Sequence, residues 1–438
     1  MSDTAVGRAY ALLTNDDEGR VCRDIPESAC NEQPRNFMKH VVSLSATKLG
    51  DGLFDPKLVL TWLMNAIGAP VYLTGALVPL REAGALLPQL FTAAWIRSMP
   101  QRKWAWAAGS AVQGLCAAGV ALTAATMEGE TAGWIIVALV ALFAIGRSVC
   151  SVSHKDVLGK TVSKSTRGTA TGTAGSAAAI GVLAFGVLIG LGLLPLEVWT
   201  IAIALGVACG LWLFAAAVFT TLLEEPGSTG GGGNAFGVAV QQFGLLGADP
   251  QLRLFIAVRG LLVPTALAPP YLLTLSGQAA SRSLGDLGFF VVASSLAAIF
   301  GGYVWGRLSD RSSRKTLIAA GALGALTLLA AAGVEAADLS GNAILLPGLL
   351  FVLVLGYQGV RLARSTHLTD MADKDSRAAY TALSNTIIGV LLLATSGLGF
   401  VASALGTLVV LLIFAAMCAL ASVLAFGLKE VQADDGDD

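Results

Sequence analysis

Long apolar segments recur through almost the whole chain, and they constrain its fold more than any other feature. A helix needs about 20 apolar residues to cross a hydrocarbon layer of roughly 30 Å, because it rises about 1.5 Å per residue. Twelve segments approach this length, which predicts an all-α integral membrane protein with twelve transmembrane helices. The predicted spans are 58–79, 83–98, 104–126, 132–150, 170–193, 198–222, 254–276, 287–305, 316–334, 344–363, 378–399 and 404–427.

The composition agrees with lipid as the main solvent of this protein. Of the 438 residues, 55% are hydrophobic and 13% are charged, and the mean hydropathy is +0.71. A soluble domain carries about 25% charged residues. The formal net charge of −1 provides no basic field for phosphates, so we expect no nucleic-acid partner.

A short polar run between the predicted spans 8 and 9 carries the clearest motif. Gly306 to Lys315 reads GRLSDRSSRK, and its cations mark the cytoplasmic face, because Lys and Arg are retained on that side. The run resembles the signature loop of the major facilitator superfamily, although Ser313 stands where that pattern prefers Gly. The matching residues, at the expected spacing, are Gly306, Leu308, Asp310, Arg311, Arg314 and Lys315. A purely topological role for this charge cluster is the alternative.

The loop chemistry repeats about 210 residues apart, since the basic loop 97–103 precedes the signature loop by that distance. Aligning Lys103 with Lys315 places Arg102 on Arg314. Together with the signature, this repeat resembles the superfamily layout of two pseudo-symmetric six-helix bundles that rock about a midplane site. The expected organisation is a cytoplasmic tail with an interfacial helix (1–57), a first bundle (58–223), a flexible Gly-rich linker (224–253), a second bundle (254–427) and an acidic cytoplasmic tail (428–438).

Basic residues alternate with the predicted spans and indicate the orientation. They concentrate in the loops 97–103, 151–169, 306–315 and 361–377, whereas the other loops are mostly acidic. By the positive-inside rule, both termini are expected to be cytoplasmic, in a plasma or inner membrane.

Polar residues at membrane depth are the candidate cavity lining, because such groups are costly in lipid and tend to face a pathway. Helix–helix hydrogen bonding is the competing explanation for each of them. Arg259 is a candidate counter-charge for an anionic solute, or else snorkels to the interface. The candidates are Asn65, Tyr72, Gln89, Gln113, Arg259, Tyr271, Ser294, Tyr357, Gln358 and Asn385.

The pair Arg81–Glu82 is expected in an outer hairpin between spans 1 and 2, where Glu82 is the candidate coupling carboxylate and a local ion pair is the alternative. No carboxylate is expected near the middle of any span. A latch of ion pairs around Asp310, Arg311 and Arg314 is expected to gate the cytoplasmic side.

The three histidines lie on separate segments and no nucleophile or metal-ligand motif occurs, so we expect neither an enzyme nor a metal or cofactor site. The resemblance implies a monomeric secondary transporter of a small-molecule solute, with H⁺ or another coupling ion. A non-transporting membrane factor of the same fold and a gradient-independent facilitator are the alternatives.

Overall fold

The computed structural model describes residues 5–14, 25, 27–194, 197–227, 243–279, 284–372 and 377–432. Within those ranges every regular element is an α-helix. Ten segments in the described part of the chain are long and apolar enough to cross a membrane. The predicted all-α membrane fold is therefore confirmed. The Gly-rich centre of the predicted linker and the end of the acidic tail lie outside the described residues.

The first half of the molecule contains six helical segments, here called spans, two of which are built from two helices each; the last four are among the ten long apolar segments. A short helix, α1 (Ala5–Thr14), precedes them. The spans are α2 (Glu27–Leu53) with α3 (Val59–Ala66), α4 (Val71–Leu86) with α5 (Gln89–Arg97), α6 (Lys103–Thr126), α7 (Gly129–Thr161), α8 (Lys164–Gly190) and α9 (Val198–Thr220).

The second half repeats this arrangement after a short helix, α10 (Gly244–Ala248). Its first span is again broken, and its fifth is divided at a turn. The spans are α11 (Pro250–Leu261) with α12 (Pro264–Leu267) and α13 (Pro269–Ala279), α14 (Leu284–Arg311), α15 (Ser313–Ala336), α16 (Leu345–Met371), α17 (Arg377–Thr395) with α18 (Leu398–Leu405), and α19 (Thr407–Ala425).

The first span begins about 30 residues earlier than the sequence predicted. Helix α2 packs along α8 and α9 inside the first bundle, so the expectation of a solvated tail and an interfacial helix in this region is wrong. Asn36 contacts the chain just after α9, whereas the Gly129 N–H, at the start of α7, donates to the Ile67 carbonyl at 2.7 Å. Helices α2 and α3 therefore cross the bundle together, from one face to the other.

The polar character of α2 explains why hydropathy missed it. Several of its buried polar groups find partners on neighbouring helices or on the chain after α9, which offsets the cost of removing them from water. The Asn36 amide donates to the Leu223 carbonyl and accepts from the Leu223 N–H at 3.2 and 3.1 Å. His40 Nε2 lies 2.9 Å from Thr161 Oγ1. The Lys48 ammonium donates to the Thr171 carbonyl at 3.0 Å.

The second span also differs from the prediction. The turn between spans 1 and 2 lies at 67–70, before Val71, and α4 continues through Arg81 and Glu82. The pair therefore does not close an outer hairpin. It lies near the middle of the α4–α5 span, at membrane depth.

The two halves end in the same way on the face that carries both described chain ends, which we call the terminal face. After α9, the buried Glu224 carboxylate accepts the N–H groups of Arg102 and Lys103 at 3.0 and 2.8 Å. After α19, Glu430 accepts from Ser312 Oγ at 2.6 Å, at the start of α15. Each half thus caps its third span with a glutamate from the end of its sixth.

The halves meet at mid-depth and towards the opposite face. Tyr72 stacks on Phe400 with ring centroids 4.9 Å apart, and a Cβ atom on Gly75 would lie 2.9 Å from the Gly399 Cα. The Asn65 amide donates to Thr274 Oγ1 at 3.4 Å. Among the described residues, these polar contacts between the halves lie at mid-depth and towards the opposite face.

Candidate functional site

The break in span 1, residues 54–58, places a charged turn at the centre of the molecule. Pro56 lacks a backbone N–H and disfavours helical backbone at Asp55, so α2 cannot continue through it. The Lys57 N–H donates to Asp55 Oδ1 at 2.6 Å and closes the turn. Broken helices at mid-depth are common at the binding sites of secondary transporters, because they bring polar backbone and charged groups into the core.

Directly before this break, a network of ion pairs joins α2, α4 and α7. One Asp51 oxygen lies 3.3 Å from Arg81 Nη2, and the other pairs with Arg147 Nη1. Arg81 Nη1 also pairs with Glu82 at 3.1 Å. The sequence-based expectation that no carboxylate lies near the middle of a span is wrong, since Asp51, Asp55 and Glu82 all do.

A cavity lies between this turn and the second half. It contains about 530 Å³ of empty volume, part of which is open to solvent. The Lys57 ammonium lies 4.1 Å from the centroid of the Tyr357 ring, a cation–π contact that joins the two halves. The lining includes Asp55, Lys57, Thr265, Ser294, Tyr357 and Gln358.

Three arginines lie on second-half helices next to this cavity without belonging to its lining residues. Arg361 and Arg364 follow Tyr357 by four and seven residues on α16 and therefore share its helix face. Arg361 is exposed although it lies near the middle of the span. Arg259, on α11, is buried and donates to Ser384 Oγ and Asn385 Oδ1 at 2.7 and 2.9 Å. The Arg259 guanidinium also interacts electrostatically with that of Arg364.

Of the predicted cavity residues, the structure brings Ser294, Tyr357 and Gln358 together at the cavity. Arg259 and Asn385 form their own hydrogen-bonded pair next to the cavity. Half of the predicted set therefore lies at or next to this site.

The other predicted residues lie elsewhere. Tyr72 donates to Glu130 at 2.5 Å near the opposite face, where Asn65 bonds Thr274. Gln89 donates to the Ala85 carbonyl of its own span at 2.8 Å. Gln113 bonds between α6 and α7, and Tyr271 is buried against Phe414. These contacts are helix–helix or intrahelical packing.

The signature loop is a tight junction between α14 and α15. Gly306 and Leu308 belong to the last turns of α14, which ends at Arg311. Ser312 Oγ accepts the Lys315 N–H at 3.0 Å and caps α15. Ser313, where the pattern prefers Gly, is helical and its Oγ lies 2.8 Å from His367 Nδ1.

The charged residues of this loop do not form the expected network around Asp310. Arg314 pairs with Glu430 at 3.6 Å, and in the first half Arg102 pairs with Asp156 on α7. Asp310 and Arg311 are exposed. In the described part of the chain, no residue lies within ion-pair distance of the Asp310 carboxylate.

Sequence reasoning missed much of the central charge cluster. Lys48, Asp51, Asp55 and Lys57 fall in the region assigned to a tail and interfacial helix, while Arg147, Arg361 and Arg364 were placed at or beyond inner helix ends. The repeat contained a usable signal. Moving the predicted seventh span back by about 210 residues gives 44–66, which includes the broken helix.

Comparison with known proteins agrees with this architecture. A family model described as Major Facilitator Superfamily matches residues 262–436. A search of curated protein sequences found no match.

Several solved structures are similar over nearly their whole length. The inward-open xylose transporter XylE from E. coli has a TM-score of 0.64 and 12% identity, covering 91% of this chain and 97% of that one. A POT family transporter in complex with 5-aminolevulinic acid has a TM-score of 0.69 and 9% identity, covering 90% and 96%. A variant of the nucleoside transporter NupG has a TM-score of 0.63 and 12% identity, covering 90% and 100%. At these identities the similarity establishes a shared fold.

Proposed function

We propose that this chain is a member of the major facilitator superfamily, whose family model matches residues 262–436, and that it is a secondary transporter that moves a small solute across the membrane by alternating access. The observation that carries the proposal is the cavity at mid-depth between the two halves, which is lined by Asp55 and Lys57 of the first half and Tyr357 of the second. Ionisable groups inside a membrane are costly and mark solute or ion pathways. The similarity to transporters of xylose and nucleosides supports the same class of activity.

The contacts between the halves suggest how the cavity changes access. In this state the opposite side is closed by the Tyr72–Phe400 stack and by the close approach of Gly75 and Gly399. Rocking of the two bundles would separate these groups and bring the terminal-face ends of the helices together. The exposed Asp310 and Arg311 would then find partners, so we propose that the signature-loop latch forms only in that second state.

The orientation proposed for this cycle follows the distribution of basic residues. The signature loop and its first-half counterpart, Arg102–Lys103, both lie on the terminal face. Under the positive-inside rule this is the cytoplasmic face of a plasma or inner membrane. The structure would then correspond to a state accessible from the cytoplasm.

Proton coupling is proposed for the carboxylates beside the cavity, with Glu82 and Asp55 as the candidates. Glu82 pairs with Arg81 and interacts electrostatically with Lys57, which lines the cavity, and with Arg364. Protonation of this carboxylate would release cationic groups to the solute. Glu82→Gln should therefore abolish the response of transport to a pH gradient, whereas Glu128→Gln in the opposite-face loop should leave that response unchanged.

Distance measurements by paired spin labels test alternating access without knowledge of the solute. Labels at Arg97→Cys and Arg307→Cys report the terminal face, and labels at Glu128→Cys and Leu339→Cys report the opposite face. We expect two distance populations in each pair, shifting in opposite directions between pH 5 and pH 8. One unchanging distance on each face would contradict transport and favour the non-transporting alternative.

A further inference from the structure

Asp55 and Lys57 line the central cavity, and the charged residues connected to them in the surrounding helices are more often positive than negative. These residues are linked to one another by ion pairs, by the cation–π contact, by electrostatic interactions or by a shared helix face. The set contains seven cationic side chains and three carboxylates. The cations are Lys48, Lys57, Arg81, Arg147, Arg259, Arg361 and Arg364, and the carboxylates are Asp51, Asp55 and Glu82.

The carboxylates are largely committed to the first half. Asp51 forms ion pairs with both Arg81 and Arg147, and Glu82 forms a further ion pair with Arg81. Asp55 accepts the Lys57 backbone N–H in the turn. These contacts compensate the first-half arginines but supply no ion-pair partner within the described residues to the arginines of the second half.

The remaining cations contact neutral groups. Lys48 donates to a backbone carbonyl, and Lys57 lies over the ring of Tyr357. Arg259 donates to a hydroxyl and an amide. Its Nε atom is buried and has no hydrogen-bond partner among the described residues. Arg361 is exposed, shares the helix face of Tyr357 on α16, and interacts electrostatically with Lys48 of the other half.

Like charges that face each other at membrane depth require a counter-charge. Each unpaired cation there is costly to insert, even before mutual repulsion is counted. Guanidinium groups match the planar or tetrahedral oxygens of carboxylates and phosphates better than any neutral solute.

We infer that the transported solute is a small organic anion bearing a carboxylate or phosphate group, bound between the first-half lysines Lys48 and Lys57 and the second-half arginines Arg259, Arg361 and Arg364. This inference rests on the proposed transport function. Binding of the anion would neutralise both sets of cations at once and allow the halves to approach on the terminal side.

Thermal unfolding of the purified full chain tests the inference. Inorganic phosphate, succinate and citrate are titrated to 10 mM at constant ionic strength, with glucose and succinamide as neutral comparisons. Low concentrations keep general salt effects on stability small. At least one anion should raise the Tm saturably, by about 2 °C or more, and neither neutral solute should.

Arg361→Gln and Lys57→Gln should each reduce that shift by at least half. The matched control is Arg307→Gln, which removes an exposed cation on α14 outside the cavity and should retain the full shift. Two cavity variants are used so that a folding defect in one leaves the other informative. An equal shift in the wild type and both cavity variants, a shift with neutral solutes, or no shift with any anion would overturn the inference.

The outcome is separable from that of the transport proposal. If the spin-label distances move between two states while no anion binds, only the anionic solute class is contradicted and the transport proposal stands. If an anion binds while the spin-label distances stay fixed, the anion site is supported and the transport proposal is contradicted.

Discussion

The two halves of this protein share an architecture but handle charge at the membrane centre differently. In the first half, Asp51 joins Arg81 and Arg147 into one network, so most charges there are compensated within the bundle. In the second half, Arg259 is held by the neutral side chains of Ser384 and Asn385. The comparison shows that carboxylates compensate the arginines of the first-half network, whereas neutral side chains contact Arg259 of the second half, which the inferred anion site would use.

Breaking the first-half network should have the largest effect on stability. Asp51→Asn leaves Arg81 and Arg147 without their shared carboxylate and should lower the free energy of unfolding by about 3 kcal/mol. The measurement is chemical unfolding in detergent. Glu32→Gln, which removes an exposed ion pair with Arg35, should cost less than about 1 kcal/mol. Equal effects of the two substitutions would show that the network does not hold the bundle together.

The two glutamate caps sharpen the same comparison at the terminal face. The Glu224 side chain is fully buried and also pairs with Lys160, whereas the Glu430 side chain is 25% exposed. Glu224→Gln should therefore destabilise the protein by about 2 kcal/mol and Glu430→Gln by about 1 kcal/mol. The difference in Tm between the two variants compares these two losses of stability. A larger loss for Glu430→Gln would contradict the greater contribution assigned to Glu224.

The contribution of Arg259 to stability should depend on the shape of its guanidinium group more than on its positive charge. Arg259→Lys keeps the charge but cannot reach Ser384 and Asn385 together, so we expect a loss of about 1 kcal/mol. The matched control is Arg253→Lys, since Arg253 is exposed on the same helix and should tolerate the change. Unfolding midpoints in denaturant compare the two, and an equally stable Arg259→Lys would mean that charge alone matters.

The contact between Lys57 and Tyr357 should give the smallest effect. Tyr357→Leu removes the aromatic face and should cost about 0.5 kcal/mol, while Tyr357→Phe should be neutral, because the ring and not the hydroxyl faces the ammonium. A double-mutant cycle with Lys57→Gln isolates the pair. Additive effects of Lys57→Gln and Tyr357→Leu would remove this link between the halves.

Hydropathy predicted the later spans well, because helices such as α9 and α19 face lipid and carry continuous apolar sequence. It failed at α2, whose polar side chains bond to α7, α8 and the end of α9 and so need no apolar sequence. Because the first span was predicted too late in the sequence, Glu82 was assigned to a loop, whereas it lies near the middle of the α4–α5 span. The repeat of basic loops held more information than hydropathy there, since it follows the shared architecture and not the solvent around each helix.

The partners of individual side chains lay beyond sequence reasoning. The separation of about 100 residues between Asp51 and Arg147 gives no local pattern, and their contact depends on how α2 and α7 pack. Ser294, Tyr357 and Gln358 were predicted because a polar residue in an apolar helix is conspicuous, whereas the charges of α2 stood among other polar residues and were not.

Labelling of single cysteines on intact and permeabilised membranes tests the central claim most directly, namely that residues 27–66 form the first membrane span. In a background without native cysteines, Ser28→Cys and Gly68→Cys should react with an impermeant thiol reagent from opposite faces, and Gly68→Cys should label together with Glu128→Cys. The claim would be contradicted if Ser28→Cys and Gly68→Cys were labelled from the same face. It would also be contradicted if Gly68→Cys stayed unreactive while Glu128→Cys reacted. In either case the charge cluster would not lie at the membrane centre.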